Sequence, residues 1–181
     1  MRKQIHQMAY AALLCALIIV STLWIKFPIP GTEILFTTQV LFVLLCGHLL
    51  TPRYCFLAIG VYLGLGLAGV PVFSATQGLA IVATPSFGYL LAFPFSAAAV
   101  SFMRIRLDGR KWANLAASLA GLLVLYAIAL PYIALLKGLY FSAPISTGAL
   151  LSAYCLPFLP LDILKAVLAA FLAKKLTRFI R

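Results

Sequence analysis

Apolar runs of about 17 to 22 residues recur along this chain, parted by short clusters of basic residues, and that spacing leaves few folds open. In lipid the backbone has no water to bond, so a spanning segment is a helix or a strand of a closed barrel. Barrel strands read as alternations of roughly ten residues, whereas these runs are longer and uniformly apolar. Hydrophobic residues make up 65% of the chain and charged residues 9%; a soluble domain carries about a quarter charged residues. Too few polar groups remain to cover a water-facing surface. The sequence predicts an all-α integral membrane protein forming one transmembrane domain over residues 1–181.

The net charge of +11 would suggest nucleic acid in a soluble protein. Here the cations flank apolar runs, where they report topology and anchor acidic headgroups. Cys15, Cys46, Cys55 and Cys155 are scattered without a CxxC and read as small buried hydrophobes. His6 and His48 read as juxtamembrane residues. The run Met8–Ile25 is long for a signal-peptide core and ends in Lys26 and prolines, so it reads as a retained first helix.

Hydropathy and breakers place helices at about Ile5–Ile25, Thr37–Leu50, Tyr54–Ala68, Ser86–Met103 and Trp112–Leu136, with a sixth starting near Pro157–Pro160. Lys26-Phe27-Pro28-Ile29-Pro30-Gly31 ends the first, and the loop up to Thr38 offers Ile34, Leu35 and Phe36 as a lid. Small residues on the first, third and fifth helices, among them Ala12-x-x-x-Ala16 and Gly60-x-x-x-Gly64, suit close helix approach.

Two stretches are ambiguous, Pro71–Pro85 and Lys137–Tyr154, and charge decides both. If either crossed the membrane, basic clusters would fall on opposite sides. If neither does, Arg2, Lys3, Arg53, Arg104, Arg106, Arg110, Lys111, Lys174, Lys175, Arg178 and Arg181 share the cytoplasmic side, as the positive-inside rule prefers. The expectation is six transmembrane helices, both termini cytoplasmic, with long apolar outer loops between helices three and four and between five and six, the former an outer loop or a re-entrant segment.

Only three acidic residues occur. Glu33 lies in the first outer loop, Asp108 among cytoplasmic arginines, and Asp162 inside the sixth apolar run with Lys165. No HExxH, GxSxG or Walker sequence is present, and no acid pair is spaced for acid–base or two-metal chemistry. That disfavours catalysis and calls for no metal or cofactor. A carboxylate and an ammonium at membrane depth mark a functional site by default, each the other's natural partner; the plainer reading is a structural ion pair at the helix mouth. At i and i+3 they share a face, and the acid sits near a helix N-terminus, where the macrodipole favours it. Gln39 enters helix two from the same side, Tyr89 lies one turn into helix four, and Ser74, Thr76 and Gln77 lie in the loop above. With Trp24, Phe27, Phe36, Phe73 and Tyr89 as walls, these groups form the apolar pocket with few polar fixtures that small-molecule sites take. An integral membrane enzyme acting on lipid is the alternative from a different class.

These residues resemble the BioY family, the biotin-specific S components of energy-coupling-factor transporters. The likeness runs through Ile25-Lys26-Phe27-Pro28-Ile29-Pro30, Phe36-Thr37-Thr38-Gln39-Val40-Leu41-Phe42 and Tyr62-Leu63-Gly64-Leu65-Gly66. It continues in Thr84-Pro85-Ser86-Phe87-Gly88-Tyr89 and Leu156-Pro157-Phe158-Leu159-Pro160-Leu161-Asp162-Ile163-Leu164-Lys165. Each piece alone is weak, but their order and spacing are specific. The third loop carries Ser74-Ala75-Thr76-Gln77-Gly78 where the family is richer in glycine, which keeps an S component for another vitamin as a further alternative. The resemblance implies biotin bound near the outer side of a bacterial plasma membrane, under the loops joining helices one to two and three to four. It further implies that Asp162 accepts from the ligand's ureido N–H groups, with Tyr89, Gln39, Phe36, Phe73, Ser74 and Gln77 around it. Lys165 either pairs with Asp162 or reaches a ligand oxygen. Ala12 and Ala16 would dock a T component, and two ATPase subunits would supply the energy.

Overall fold

The computed structural model of the chain describes residues 2–28 and 33–180. It is mostly helical: α1 (Arg2–Trp24), α2 (Gln39–Leu49), α3 (Pro52–Leu67), α4 (Ser86–Arg106), α5 (Ala113–Leu135), α6 (Thr147–Tyr154) and α7 (Leu159–Ile180). Among the described residues, three stretches are long and apolar enough to cross a membrane: Gln4–Trp24, Ser86–Arg106 and Ala113–Tyr140. α6 and α7 form a bent pair, turning 53° at their break, that passes the same test together. At 1.5 Å per residue, the 11 residues of α2 and 16 of α3 reach about 16 and 24 Å, short of the roughly 30 Å of a bilayer core.

The short α2 sits at the centre. Every residue from Val43 to His48 is buried, as expected of a helix that is apolar all round; it packs against α1, α4 and α7, while α4 and α5 form the most extensive helix pair. Close approach there depends on two small residues. A Cβ on Gly47 of α2 would lie 2.4 Å from Val100 Cβ, and one on Gly121 of α5 would lie 2.4 Å from Val100 Cγ2. Val100 of α4 therefore fills both notches. Buried hydroxyls tie the same helices: Ser96 Oγ donates to Gly121 O (2.8 Å), Ser101 Oγ to Leu50 O (2.7 Å), and His48 Nε2 pairs with Ser118 Oγ (2.8 Å).

Several expectations need correction. His48, read as juxtamembrane, lies in the last turn of α2 and is fully buried against α5. Gly60 and Gly64 face away from the other helices, with nothing within 4 Å of an added Cβ, because the packing stripe of α3 runs through Cys55, Ala58, Ile59, Tyr62 and Gly66 instead. The expected loop after α1 is a hairpin, β1 (Lys26–Pro28) paired antiparallel with β2 (Leu35–Thr37), Phe27 opposite Phe36. Three-residue strands are too short for any periodicity to announce them. The helix break read at Ile29–Gly31 lies outside the described residues, as does Arg181.

Within Pro71–Pro85 the chain forms a short 3-10 helix, Gly78–Ala83, against α3 and α4. Lys137–Tyr154, expected to be all loop, holds part of a π turn (Leu136–Tyr140) and the two-turn α6, whose N-cap Ser146 Oγ accepts from Ala149 N at 3.3 Å. Charge parity counts crossings and is silent about where a helix breaks, so it could not reveal α6.

Candidate functional site

The N-terminal ends of α2, α4 and α7 meet beneath the β1–β2 hairpin and the segment Val72–Ala83, enclosing a cavity of about 50 Å3. Pro160 opens α7 in its first turn, where the missing N–H costs nothing. Asp162 follows two residues on, 3% exposed, and Lys165 one turn later, 6% exposed. They form a buried salt bridge, Lys165 Nζ to Asp162 Oδ1, at 2.7 Å.

Each member has a second partner. Tyr126 of α5 donates its hydroxyl to Asp162 Oδ2 at 2.7 Å. Lys165 donates to the Thr37 carbonyl at 2.8 Å and lies 3.9 Å from the Phe36 ring centroid, a cation–π contact. Such bonds make a buried pair tolerable, since desolvation otherwise outweighs the Coulomb attraction. They also tie the hairpin to the helices, because Thr37 and Phe36 belong to β2.

Of the residues expected to surround this pair, Gln39, Tyr89, Phe73 and Ser74 line the cavity with Asp162 and Lys165. Gln39 Nε2 donates to the Tyr62 hydroxyl at 2.6 Å, while Oε1 accepts from Thr37 Oγ1 at 3.0 Å. Tyr89 donates its hydroxyl to the Tyr154 carbonyl and stands edge-on to Tyr126, centroids 6.0 Å apart. Ser74 lines the cavity at the loop, and its carbonyl accepts from Lys26 Nζ at 3.0 Å.

Phe36 contributes through Lys165 and is not part of the lining. Gln77 is not part of it either: its amide accepts from Phe73 N and donates to the carbonyls of Phe73 and Ala75. It shapes the loop that presents Phe73. Trp24 and Phe27, expected as walls, are 84% and 56% exposed. Neither is part of the cavity lining.

Phe73 is held from below. Its ring packs edge-on to Tyr62, centroids 5.4 Å apart, and lies over Gly66, where a Cβ would come within 2.1 Å of Phe73 Cζ. Gly66→Ala must displace that ring, so it should cost about 1–3 kcal/mol, read as a lower thermal unfolding midpoint in detergent; an unchanged midpoint would show that the ring relaxes freely.

Sequence reasoning missed Tyr126, Tyr62 and the Thr37 carbonyl. Tyr126 sits in Leu123-Val124-Leu125-Tyr126-Ala127 as the one side chain with a hydroxyl, which was its only signal. A carbonyl leaves none. Ala12 and Ala16 are exposed on α1, lining an apolar groove of about 410 Å3 against Leu57, Ala58 and Val61 of α3. Among the described residues no cluster of His, Cys, Asp or Glu is arranged to hold a metal.

Chemically the cavity offers a carboxylate with spare acceptor capacity, fixed by a cation and a tyrosine, within aromatic walls. The BioY family model matches residues 1–181. The biotin transporter BioY of Thermotoga maritima is 32% identical over 177 residues, 96% of each chain. That of Rhizobium etli is 33% identical over 175 residues, 91% of this chain and 87% of its own. Among solved structures, the S-component for biotin from an ECF-type ABC transporter superposes with a TM-score of 0.84 at 24% identity, over 98% of this chain and 93% of that one. That likeness carries the fold.

Proposed function

The chain belongs to the BioY family, and from that premise we propose that it binds biotin as the substrate-specific S component of an energy-coupling-factor transporter. One observation carries the assignment to this cavity. A carboxylate has about four acceptor positions; Lys165 occupies one on Oδ1 and Tyr126 one on Oδ2. Two remain for a ligand, and a ureido ring brings two N–H donors side by side. Phe73, Phe93, Phe158 and Tyr89 flank the carboxylate as apolar walls for the fused rings. A ligand carboxylate near Ser74 would meet Lys26, whose ammonium rests on the Ser74 carbonyl.

Six helices cross the membrane in this reading, in one domain over 1–181, with α2 and α3 as short spans and α6–α7 as one bent unit. Both termini face the cytoplasm of a bacterial cell and the cavity opens outward, the arrangement that keeps the basic clusters inside. The groove bearing Ala12 and Ala16 would seat a T component, which together with two ATPase subunits supplies the energy.

The cavity of about 50 Å3 is small beside the roughly 300–1,000 Å3 of ordinary ligand sites, so biotin enters only if the hairpin lifts. Glu33, next to β2, is clasped by Lys137 Nζ at 2.8 Å. The carboxylate is more than half exposed, so the bond contributes at most about 1 kcal/mol. Lys137→Met should speed biotin association and release by up to about fivefold in stopped-flow or filter-exchange assays; unaltered rates would show that this clasp does not limit opening.

The assignment is tested by thermal stabilisation of the purified chain with biotin, thiamin, riboflavin and niacin, since a ligand well above its dissociation constant raises the unfolding midpoint. A rise with biotin alone supports it. A rise with another vitamin, or lipid turnover without biotin binding, overturns it.

A further inference from the structure

At the opposite end of α4 and α7 lies a second cavity of about 380 Å3, lined by Arg104, Asp108, Arg110, Lys111, Asn114 and Lys174 among others. α4 ends there, Gly109 turns the chain at a φ of +84°, and Arg110 and Lys111 lead into α5 while Lys174 arrives on α7. Four cations thus face one carboxylate. Among the described residues none of the four forms a salt bridge, and Arg104 Nε is buried without a hydrogen-bond partner. One carboxylate cannot balance four converging cations, which repel one another, and a bound anion relieves that repulsion. Guanidinium groups match phosphate oxygens through paired N–H donors.

The surroundings identify the source of the anion. Trp112, 52% exposed, stands beside the cavity with the Arg110 guanidinium 5.3 Å from its ring centroid; a half-exposed tryptophan with a cation on its face is typical of headgroup depth. Along α4, Phe102 and Ile105 are each 54% exposed and give an apolar flank on which acyl chains can lie. Basic pockets between helices at a membrane surface suit acidic headgroups. We propose that this cavity binds the phosphate of an anionic glycerophospholipid, held by Arg104, Arg110, Lys111 and Lys174. The site is separate from the Asp162 cavity and does not depend on which solute that cavity takes.

The test uses the full chain purified in a neutral detergent, with phosphatidylglycerol, phosphatidylcholine or inorganic phosphate added, and reads the unfolding midpoint and lipid retained in native mass spectrometry. Lys111→Gln/Lys174→Gln changes two exposed side chains and should fold normally; Arg104→Gln is the second variant, and Arg53→Gln removes an exposed cation that lines neither cavity as a control. Phosphatidylglycerol should raise the wild-type midpoint by about 5 °C, the order expected for a ligand well above its dissociation constant. The Arg53→Gln control should keep that rise, both other variants should lose at least half of it, and phosphatidylcholine should produce none. Equal shifts in wild type and all variants, or with both lipids, would overturn the site. Stabilisation by inorganic phosphate but not by phosphatidylglycerol would overturn the lipid as its ligand.

Discussion

Asp162→Asn should lower biotin affinity at least tenfold, a loss of about 1.4 kcal/mol or more. The substitution keeps size and shape but exchanges one acceptor oxygen for a donor NH2. Oδ1 and Oδ2 are already committed to Lys165 and Tyr126, so whichever position becomes NH2, one of those partners or the ligand faces a donor with a donor. The formal charge that strengthens hydrogen bonds from the ureido N–H groups also disappears. Equilibrium binding of radiolabelled biotin to the monodisperse variant checks this. Undiminished affinity would remove Asp162 from the ligand site.

The second large effect concerns stability. Lys165→Met should destabilise the chain by about 3–5 kcal/mol, because a carboxylate 3% exposed loses its cation and keeps only the Tyr126 hydroxyl. The Thr37 carbonyl loses its donor as well, which loosens β2. Adding Asp162→Asn to Lys165→Met removes the uncompensated charge, so the double variant should recover most of the loss while still binding biotin poorly. Denaturation midpoints of the two single variants and the double one measure this coupling directly. A double variant as unstable as the sum of its parents would show that the pair is not one electrostatic unit.

How far the sequence led can be seen from particular residues. α7 was legible because two prolines, a charge pair and an apolar run coincide there, and a buried charge in such a run has few innocent explanations. Gln39 was legible as an amide in an apolar run, where lipid offers it no partner, and the structure places it in the cavity lining with Tyr62 as its partner. Gln77 was not, because an amide can serve its own loop backbone as readily as a ligand, and nothing local separates the two uses. Phe73 and Trp24 look alike as aromatics beside helix ends, yet one is buried over Gly66 and the other faces outward; tertiary packing alone decides that. Tyr126 and the Thr37 carbonyl complete the Asp162–Lys165 network from elements far away in the chain, where no spacing rule reaches.

The central claim is that biotin sits on Asp162 within this cavity. A structure of the chain with biotin bound measures it most directly. The ureido nitrogens are expected at about 2.7–3.2 Å from the Asp162 carboxylate oxygens, with the Lys165 pair intact and the hairpin displaced to admit the rings. Biotin seated away from Asp162, whether in the groove between α1 and α3 or at the basic end, would contradict it.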